Sequence, residues 1–291
     1  MRACAFLTMD SLQGFVSDDE LAWEPLRELG WEVTAVSWRR RDVDWSRFAA
    51  VVIRTTWDYH LDADTFLQVL ESIDGSGARL ANPLPLVRWN AKKTYLRDLS
   101  SRGLPVVPTV WGVSPSAGVI HRLCDELGSE EIVIKPVISA TAHDTYRVGR
   151  RQGPDVAAEI AAVFSEREYM AQPFVASIVD EGEHSLFYFG GEYSHAVRKT
   201  PKPEDFRVQE EHGGLIVPVG PPAGLIALGR RCLAALDHST LYARVDLVRL
   251  PAGDYALMEL ELIEPSLYFR MDSGAARRFA RALDAWMDHP R

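Results

Sequence analysis

The 291-residue chain is predicted to be an α+β protein that opens with a small α/β unit of Rossmann-like, parallel-stranded type. Three observations predict this. Over the first 75 or so residues, apolar runs and amphipathic stretches follow the order strand, helix, strand, strand, helix, a pattern of parallel strands covered by helices. Beyond residue 100 the alternation is irregular and hairpin signals take over, at Gly190-Gly191 and Pro251-Ala-Gly253-Asp254, which favours antiparallel pairing. The length exceeds what one small core fills, so two or three domains are expected.

Ala3 to Met9 is a short apolar run followed at once by acidic residues, a buried first strand rather than a signal peptide. Asp18 to Leu29 has helical periodicity, with Ser17 placed as its N-cap and Gly30 as its stop. Trp31 to Trp38 and Phe48 to Arg54 are the next strands, and Ala63 to Ile73 the next helix. No Gly-x-Gly-x-x-Gly follows the first strand, which argues against a dinucleotide site. Asn82-Pro-Leu-Pro85 reads as a linker and closes a first domain over residues 1–85. A helix from about Asn90 to Arg102 stops at Gly103, and Leu104 to Thr109 is extended because each Pro biases the residue before it away from helix. Strands at Ile132 to Val137 and Glu168 to Phe174 belong to a second domain over 86–172. The third, over 173–291, holds a hairpin of Ser185 to Gly190 and Glu192 to Arg198, a helix from Ala223 to Leu236, a second hairpin of Leu241 to Leu250 and Tyr255 to Ile263, and a last helix from Gly274 to Met287.

A net charge of −9 argues against a general nucleic-acid binder. No apolar run reaches membrane-spanning length. Cys4, Cys124 and Cys232 are scattered, odd in number and without metal-ligand spacing, which suggests a reducing, cytoplasmic setting. Nothing in the chain fixes the oligomeric state; a homodimer is the commonest oligomer.

The second C-terminal hairpin carries the chemistry. Strand residues two apart share a face, so Glu259 and Glu261 point the same way, and the hairpin can bring Asp246 beside them. Three carboxylates gathered on one face repel one another unless a hard cation holds them, and oxygen-only ligands favour Mg²⁺. A merely hydrated polar face is the competing reading. Lys135 sits inside the apolar strand Ile132-Val-Ile-Lys-Pro136 and precedes the small and polar loop Ser139 to Thr145, which can lay N–H groups and hydroxyls over phosphates. Lys92 and Lys93 offer a second cation. Arg198, Lys199, Arg207 and Gln209, ahead of Gly213-Gly214, can grip phosphate, although the acidic residues around them equally suit a surface loop. Thr55-Thr56-Trp57-Asp58 ends a strand where ligands of such sheets bind, and a plain turn explains it as well.

Taken as an ordered set, these motifs resemble the ATP-grasp superfamily, in the branch of glutathione synthetase and the ribosomal-protein glutamate ligase, over roughly Asn82 to Phe269. The likeness extends to the subfamily that closes the ring of cycloserine. The resemblance implies an ATP-grasp fold, two α+β subdomains with ATP between them. It places Lys93 and Lys135 on the ATP phosphates. Gln172, Pro173 and Phe174 fall at the adenine, and Glu183 at the ribose. Asp205-Phe-Arg207-Val-Gln209 matches the branch's Phe-Arg-x-Asn segment. Asp246, Glu259 and Glu261 become ligands for one or two Mg²⁺ ions, with Mn²⁺ as a substitute. Two departures stand out: Glu261 occupies the position of a usual Asn, and the loop after Lys135 lacks the usual glycines.

The implied function is an ADP-forming ligase that activates a small, amino-acid-like carboxylate as an acylphosphate for attack by an amine. Arg207 would stabilise the transferring phosphoryl group, with Arg198 and Lys199 assisting. Thr55, Thr56, Trp57, Asp58, Arg244 and Glu264 are the candidates for holding the substrate. An intramolecular cyclo-ligase with the same chemistry and a non-catalytic nucleotide-binding module are the alternatives.

Overall fold

The computed structural model describes residues 1–115 and 118–288. The first sheet contains β1 (Arg2–Thr8), β2 (Trp31–Ser37), β3 (Ala50–Thr55) and β4 (Arg79–Ala81), all parallel and ordered β2-β1-β3-β4. β3 is buried along its whole length, as expected where helices cover both faces of a parallel sheet. The helices of this unit are α1 (Trp23–Glu28) and α2 (Ala63–Gly75). The single helix expected over 18–29 is split: a 3₁₀ turn spans Asp19–Ala22 before α1 begins. Pro25 explains the split. It has no N–H to donate, so it is tolerated only in a first helical turn. The Ser17 hydroxyl still accepts from the Asp19 N–H at 3.3 Å.

The segment expected to be a linker is instead a buried joint. The Asn82 side chain is fully buried; it donates to the carbonyls of Tyr242 and Leu262 and accepts from the Leu241 N–H. Pro83 then leads into α3 (Leu84–Asn90). The helix expected over 90–102 is also corrected. The chain leaves the helical path at residues 91–94 and resumes as α4 (Tyr95–Ser101). At the break the Lys93 N–H donates to the Val137 carbonyl at 2.8 Å, so a tertiary partner overrides helical propensity there.

The second sheet is antiparallel, ordered β5-β8-β6-β7, from β5 (Val110–Val113), β6 (Glu131–Pro136), β7 (Tyr146–Gly149) and β8 (Glu168–Pro173). α5 (Val119–Leu127) and α6 (Pro154–Val163) bury Leu123, Cys124 and Ile160 against it. A short α7 (Ser177–Asp180) leads to the third sheet. That sheet is built of β9 (Glu183–Phe189), β10 (Glu192–Thr200), β11 (Leu215–Pro218), β12 (Tyr242–Arg249) and β13 (Tyr255–Glu261), ordered β11-β10-β9-β12-β13 and antiparallel. α8 (Ala223–Ala234) lies on it through Leu225, Leu228 and Cys232. α3 and α4, grouped with 86–172 in the sequence reading, bury Leu86, Leu96 and Leu99 in the core of this third sheet. α9 (Ala275–Trp286) closes the chain, and its Phe279 ring meets Phe6 of the first sheet and Phe189 and Tyr242 of the third. One aromatic cluster thus joins the N-terminal unit to the C-terminal one. The three cysteines are free and buried. No helix among the described residues is long and apolar enough to cross a membrane.

Candidate functional site

The site is built outward from β13. It ends its sheet, and an unpaired strand edge must find other partners. Here the Asn90 side chain donates to the Leu260 carbonyl and accepts from the Leu262 N–H, the Tyr95 hydroxyl accepts from the Leu260 N–H, and the Leu257 N–H donates to the Pro105 carbonyl. With this edge pinned, the alternate residues Glu259 and Glu261 are held toward a cleft lined by residues of the second and third sheets and by loops of the N-terminal unit. In register, Asp246 stands opposite Glu259 and Arg244 opposite Glu261.

Basic groups are interleaved with these carboxylates. Arg244 Nη2 lies 3.0 Å from Asp246 Oδ2 and also pairs with Glu261. Lys93 Nζ lies 2.7 Å from Glu259 Oε1 and donates to the Ser139 carbonyl. Lys199 Nζ lies 2.7 Å from Glu183 Oε1 and 3.5 Å from Asp246 Oδ2. The Ser185 hydroxyl donates to Asp246 at 2.5 Å. Burial would raise the Asp246 carboxyl, but Arg244 and Lys199 outweigh it and hold the group below its ordinary value. At Glu261 burial wins, and with the Asp246 and Glu259 charges it pushes the carboxyl up to about 7 against the pull of Arg244. Burial, then the Glu261 charge, pushes Glu264 up to about 8. Lys135 is held below its usual value by burial, and its ammonium has no protein partner among the described residues.

Among the described residues no three His, Cys, Asp or Glu side chains converge as a ready-made metal cage. Arg244 and Lys93 instead pair with these carboxylates. The donor set of Asp246, Glu259 and Glu261 still fits a hard divalent ion, being all oxygen and on one hairpin. Binding such an ion requires the basic groups to give up their carboxylates.

Lys135 on β6 and the Ser139 to Thr145 loop roof the cleft. Without glycines, Thr141, Ala142 and Asp144 themselves take left-handed conformations, with φ of 52°, 55° and 53°, which is uncommon outside glycine. A second loop presents Arg207 and Gln209. It folds back so tightly that a Cβ at Gly214 would lie 2.1 Å from the Val208 carbonyl oxygen; only glycine fits. The two loops meet where a His212 ring nitrogen lies 3.0 Å from the Thr141 carbonyl oxygen. Arg207 is paired with Asp205 at 2.9 Å, and the Gln209 side-chain amide oxygen is buried with no partner among the described residues. Gln172, Pro173 and Phe174 line the far end, where Gln172 donates to the Thr109 hydroxyl and Arg147 stacks over the Phe174 ring at 3.6 Å.

Several residues singled out from the sequence do not face the cleft. Arg198 alternates with buried Lys199 along β10 and is exposed on the other side, as the two-residue period of a strand demands. Thr55 donates to the Thr8 hydroxyl inside the first sheet, Thr56 is fully buried, and Asp58 is engaged by Trp38 Nε1 and Arg39. Of that tip only Trp57 lines the cleft, its indole donating to the Glu264 carbonyl. Glu183 also lines it, but its carboxylate is committed to Lys199 rather than free for a ribose. Lys92 pairs with Glu168 near the surface, so Lys93 is the lysine that reaches inward. Sequence reasoning missed Phe15 and Tyr268, which line the cleft with Trp57, Tyr59 and Glu264. They come from separate segments, and no periodicity connects them.

Comparison with known proteins adds four findings. Residues 4–82 match the family model of the N-terminal domain of D-cycloserine synthetase DcsG. The cycloserine biosynthesis protein DcsG of Streptomyces lavendulae is 33% identical over 278 residues, covering 89% of this chain and 90% of that protein. The crystal structure of D-cycloserine synthetase DcsG superposes with a TM-score of 0.85 at 31% identity, over 98% of this chain and 99% of the other. The ATP-grasp ligase PsnB, solved with a phosphomimetic variant of its minimal precursor, Mg and ADP, shares the fold at a TM-score of 0.66 and 18% identity, with 98% of each chain covered.

Proposed function

The chain belongs to the DcsG family of ATP-grasp ligases, and we propose that its cleft joins the carboxylate of a small amino-acid-like substrate to an amine through an acylphosphate, with ATP converted to ADP. The observation that carries this reading is the β12–β13 hairpin, which sets Asp246 opposite Glu259, with Glu261 two residues along on the same cleft face. When bound, Mg²⁺ offsets the charge of the triphosphate and of the transferring phosphoryl group. Asp246, Glu259 and Glu261 would hold one or two such ions. Lys93, displaced from Glu259 by the ion, would turn to the nucleotide phosphates beside Lys135. Gln172, Pro173 and Phe174 would flank the adenine, and the unpartnered Gln209 oxygen would meet a donor of the nucleotide or substrate.

The reaction runs in two displacements. A substrate carboxylate oxygen attacks the γ-phosphorus and the bond to ADP breaks. The amine nitrogen then attacks the acyl carbon and inorganic phosphate leaves. Arg207 and Arg244 stabilise the charge that develops on phosphoryl and carboxyl oxygens, with Arg207 leaving Asp205 to do so. Glu264, whose burial raises its proton affinity, meets the attacking nitrogen and takes its proton. Trp57 walls the substrate in. Family membership gives weight to the intramolecular version, in which amine and carboxylate belong to one molecule.

The test is ADP and phosphate release from Mg-ATP against D- and L-serine, D- and L-alanine and their O- and N-substituted derivatives, singly and in pairs. Turnover with one compound marks a cyclase, and turnover only with a pair marks an intermolecular ligase. AMP and pyrophosphate as products would overturn the acylphosphate route, and binding of Mg-ATP without any turnover would leave a nucleotide-binding module.

A further inference from the structure

Tyr268 and His195 form a second functional unit beside the charged centre of the cleft. Tyr268 lines the cleft, and its hydroxyl makes no hydrogen bond to any described residue. Its backbone is left-handed, with φ 45° and ψ 46°, a conformation bulky residues rarely hold unless their surroundings fix it. The fixing groups come from β10. Its pairing with β9 shifts register between Tyr193 and His195, so Ser194 is the extra residue of a bulge. Bulges near active sites re-aim side chains. Here the bulge stacks the His195 ring on Phe187 at 4.3 Å and 10° between planes, and the edge of Phe187 meets the Tyr268 ring.

The hydrogen-bond direction through His195 follows from its neighbours. His195 Nε2 lies 3.0 Å from the Leu267 carbonyl; a carbonyl only accepts, so Nε2 carries the hydrogen. The Ser194 hydroxyl lies 2.9 Å from Nδ1 and itself accepts from Arg278 Nε at 2.9 Å. With the hydrogen of the neutral ring on Nε2, Nδ1 can only accept, so the Ser194 hydroxyl donates to it. Arg278 is anchored by Asp272 at 2.5 Å. The relay fixes one neutral tautomer, consistent with burial, which pushes the imidazole down to about 4. At the other end, burial raises the Tyr268 phenol above its ordinary value, with Lys199 and Arg244 pulling it down and Glu210 and Glu211 pushing it further up.

We propose that Tyr268 donates its phenol hydrogen to the carboxyl group of the substrate, next to Arg244, and that His195 is a positioning residue that holds the Leu267–Tyr268 backbone for this contact. The proposal rests on the ligase reading and names residues that the sequence did not suggest.

Four variants test it, using the panel amino acid that gives wild type its fastest ADP release. Tyr268→Phe lowers kcat/KM for that compound about tenfold to a hundredfold, the range of one hydrogen bond to a charged group, with KM for ATP unchanged. His195→Phe keeps the stacked ring and removes the donor; it lowers the same ratio by a smaller factor. His195→Gln restores a donor within reach of Leu267 and recovers part of the loss. In the double variant with Phe at both positions, kcat/KM equals that of Tyr268→Phe within about twofold, because His195 acts through Tyr268. Full multiplication of the two losses, or an unchanged Tyr268→Phe, overturns the proposal. If His195→Phe does not fold, the comparison of His195→Gln with and without Tyr268→Phe decides the same question. Absence of ADP release from wild type with every compound contradicts the ligase reading itself, which separates the two failures.

Discussion

At the centre of the cleft, four strands carry ionic groups that partner one another: Arg244 with Asp246 and Glu261, and Lys199 with Glu183 and Asp246. At the end proposed to hold the substrate, Phe15, Trp57, Glu264 and Tyr268 arrive from loops. There the Phe15 and Trp57 rings lie 5.3 Å apart, and the Tyr268 hydroxyl has no hydrogen-bond partner among the described residues. The contrast has a physical origin. Buried charges are tolerated only when paired and hydrogen-bonded, so the centre must be fixed by regular strands before any ligand arrives. The neutral aromatic side chains Phe15, Trp57 and Tyr268 bear no such constraint and can be set by loops. The centre therefore suits chemistry common to a whole family, and the wall suits selection of one substrate.

The largest expected effect comes from breaking the centre. Arg244→Met leaves Asp246 and Glu261 without their main cation, and removing one partner of a buried pair costs about 3–5 kcal/mol. Thermal melts should show a fall of several degrees or more, and millimolar Mg²⁺ should recover part of it by neutralising the same carboxylates. A loss that Mg²⁺ does not touch would break the link between the salt-bridge network and the ion.

The substrate end should respond differently. Trp57→Ala is expected to raise KM for the carboxylate substrate about tenfold, since a buried aromatic contributes a few kcal/mol of contact, while KM for ATP stays as it was. Steady-state kinetics with each substrate varied in turn checks this.

Glu264 joins the two regions, and its pH behaviour sharpens the comparison. Its carboxyl is raised to about 8 in the folded protein, so the folded state binds the proton more tightly than the unfolded one. Stability is then lost as pH rises from the ordinary carboxylate range through about 8, because there the unfolded chain ionises freely while the folded protein still holds its proton. Glu264→Gln removes the penalty. Melting curves of the ligand-free protein should show the variant gaining on wild type by a few degrees between pH 5 and pH 8.5, an estimate from typical domain entropies. The smallest effect is that of Arg198→Ala, which faces away from the cleft and should change kcat and KM by less than about twofold, as surface substitutions usually do.

How much of this was legible in the chain follows the same division. Glu259, Glu261 and Asp246 could be read because a strand's two-residue period and a turn place them without further information. Lys135 was legible as a lysine inside an apolar strand ahead of a small, polar loop. The period also separates Lys199 from Arg198, yet that distinction was not used until the sheet was seen. Asn82 and the break at residues 91–94 were hidden because partners more than 40 residues away, Tyr242 and Val137 among them, override local propensity. Thr55, Thr56 and Asp58 were misplaced because a polar tip can as easily serve its own sheet as a ligand. Tyr268 and His195 could not be found at all: a bulge, a relay and a left-handed backbone leave no pattern in composition or spacing.

The central claim, that a substrate carboxylate is phosphorylated in this cleft, is tested most directly by isotope transfer. The turnover substrate would be prepared with ¹⁸O in its carboxyl group, and the phosphate released from Mg-ATP examined by mass spectrometry, with Glu259→Gln as control. One ¹⁸O carried into each phosphate by wild type, and ADP formation lost in the variant, is the predicted result. Unlabelled phosphate, or label recovered in AMP, would contradict it.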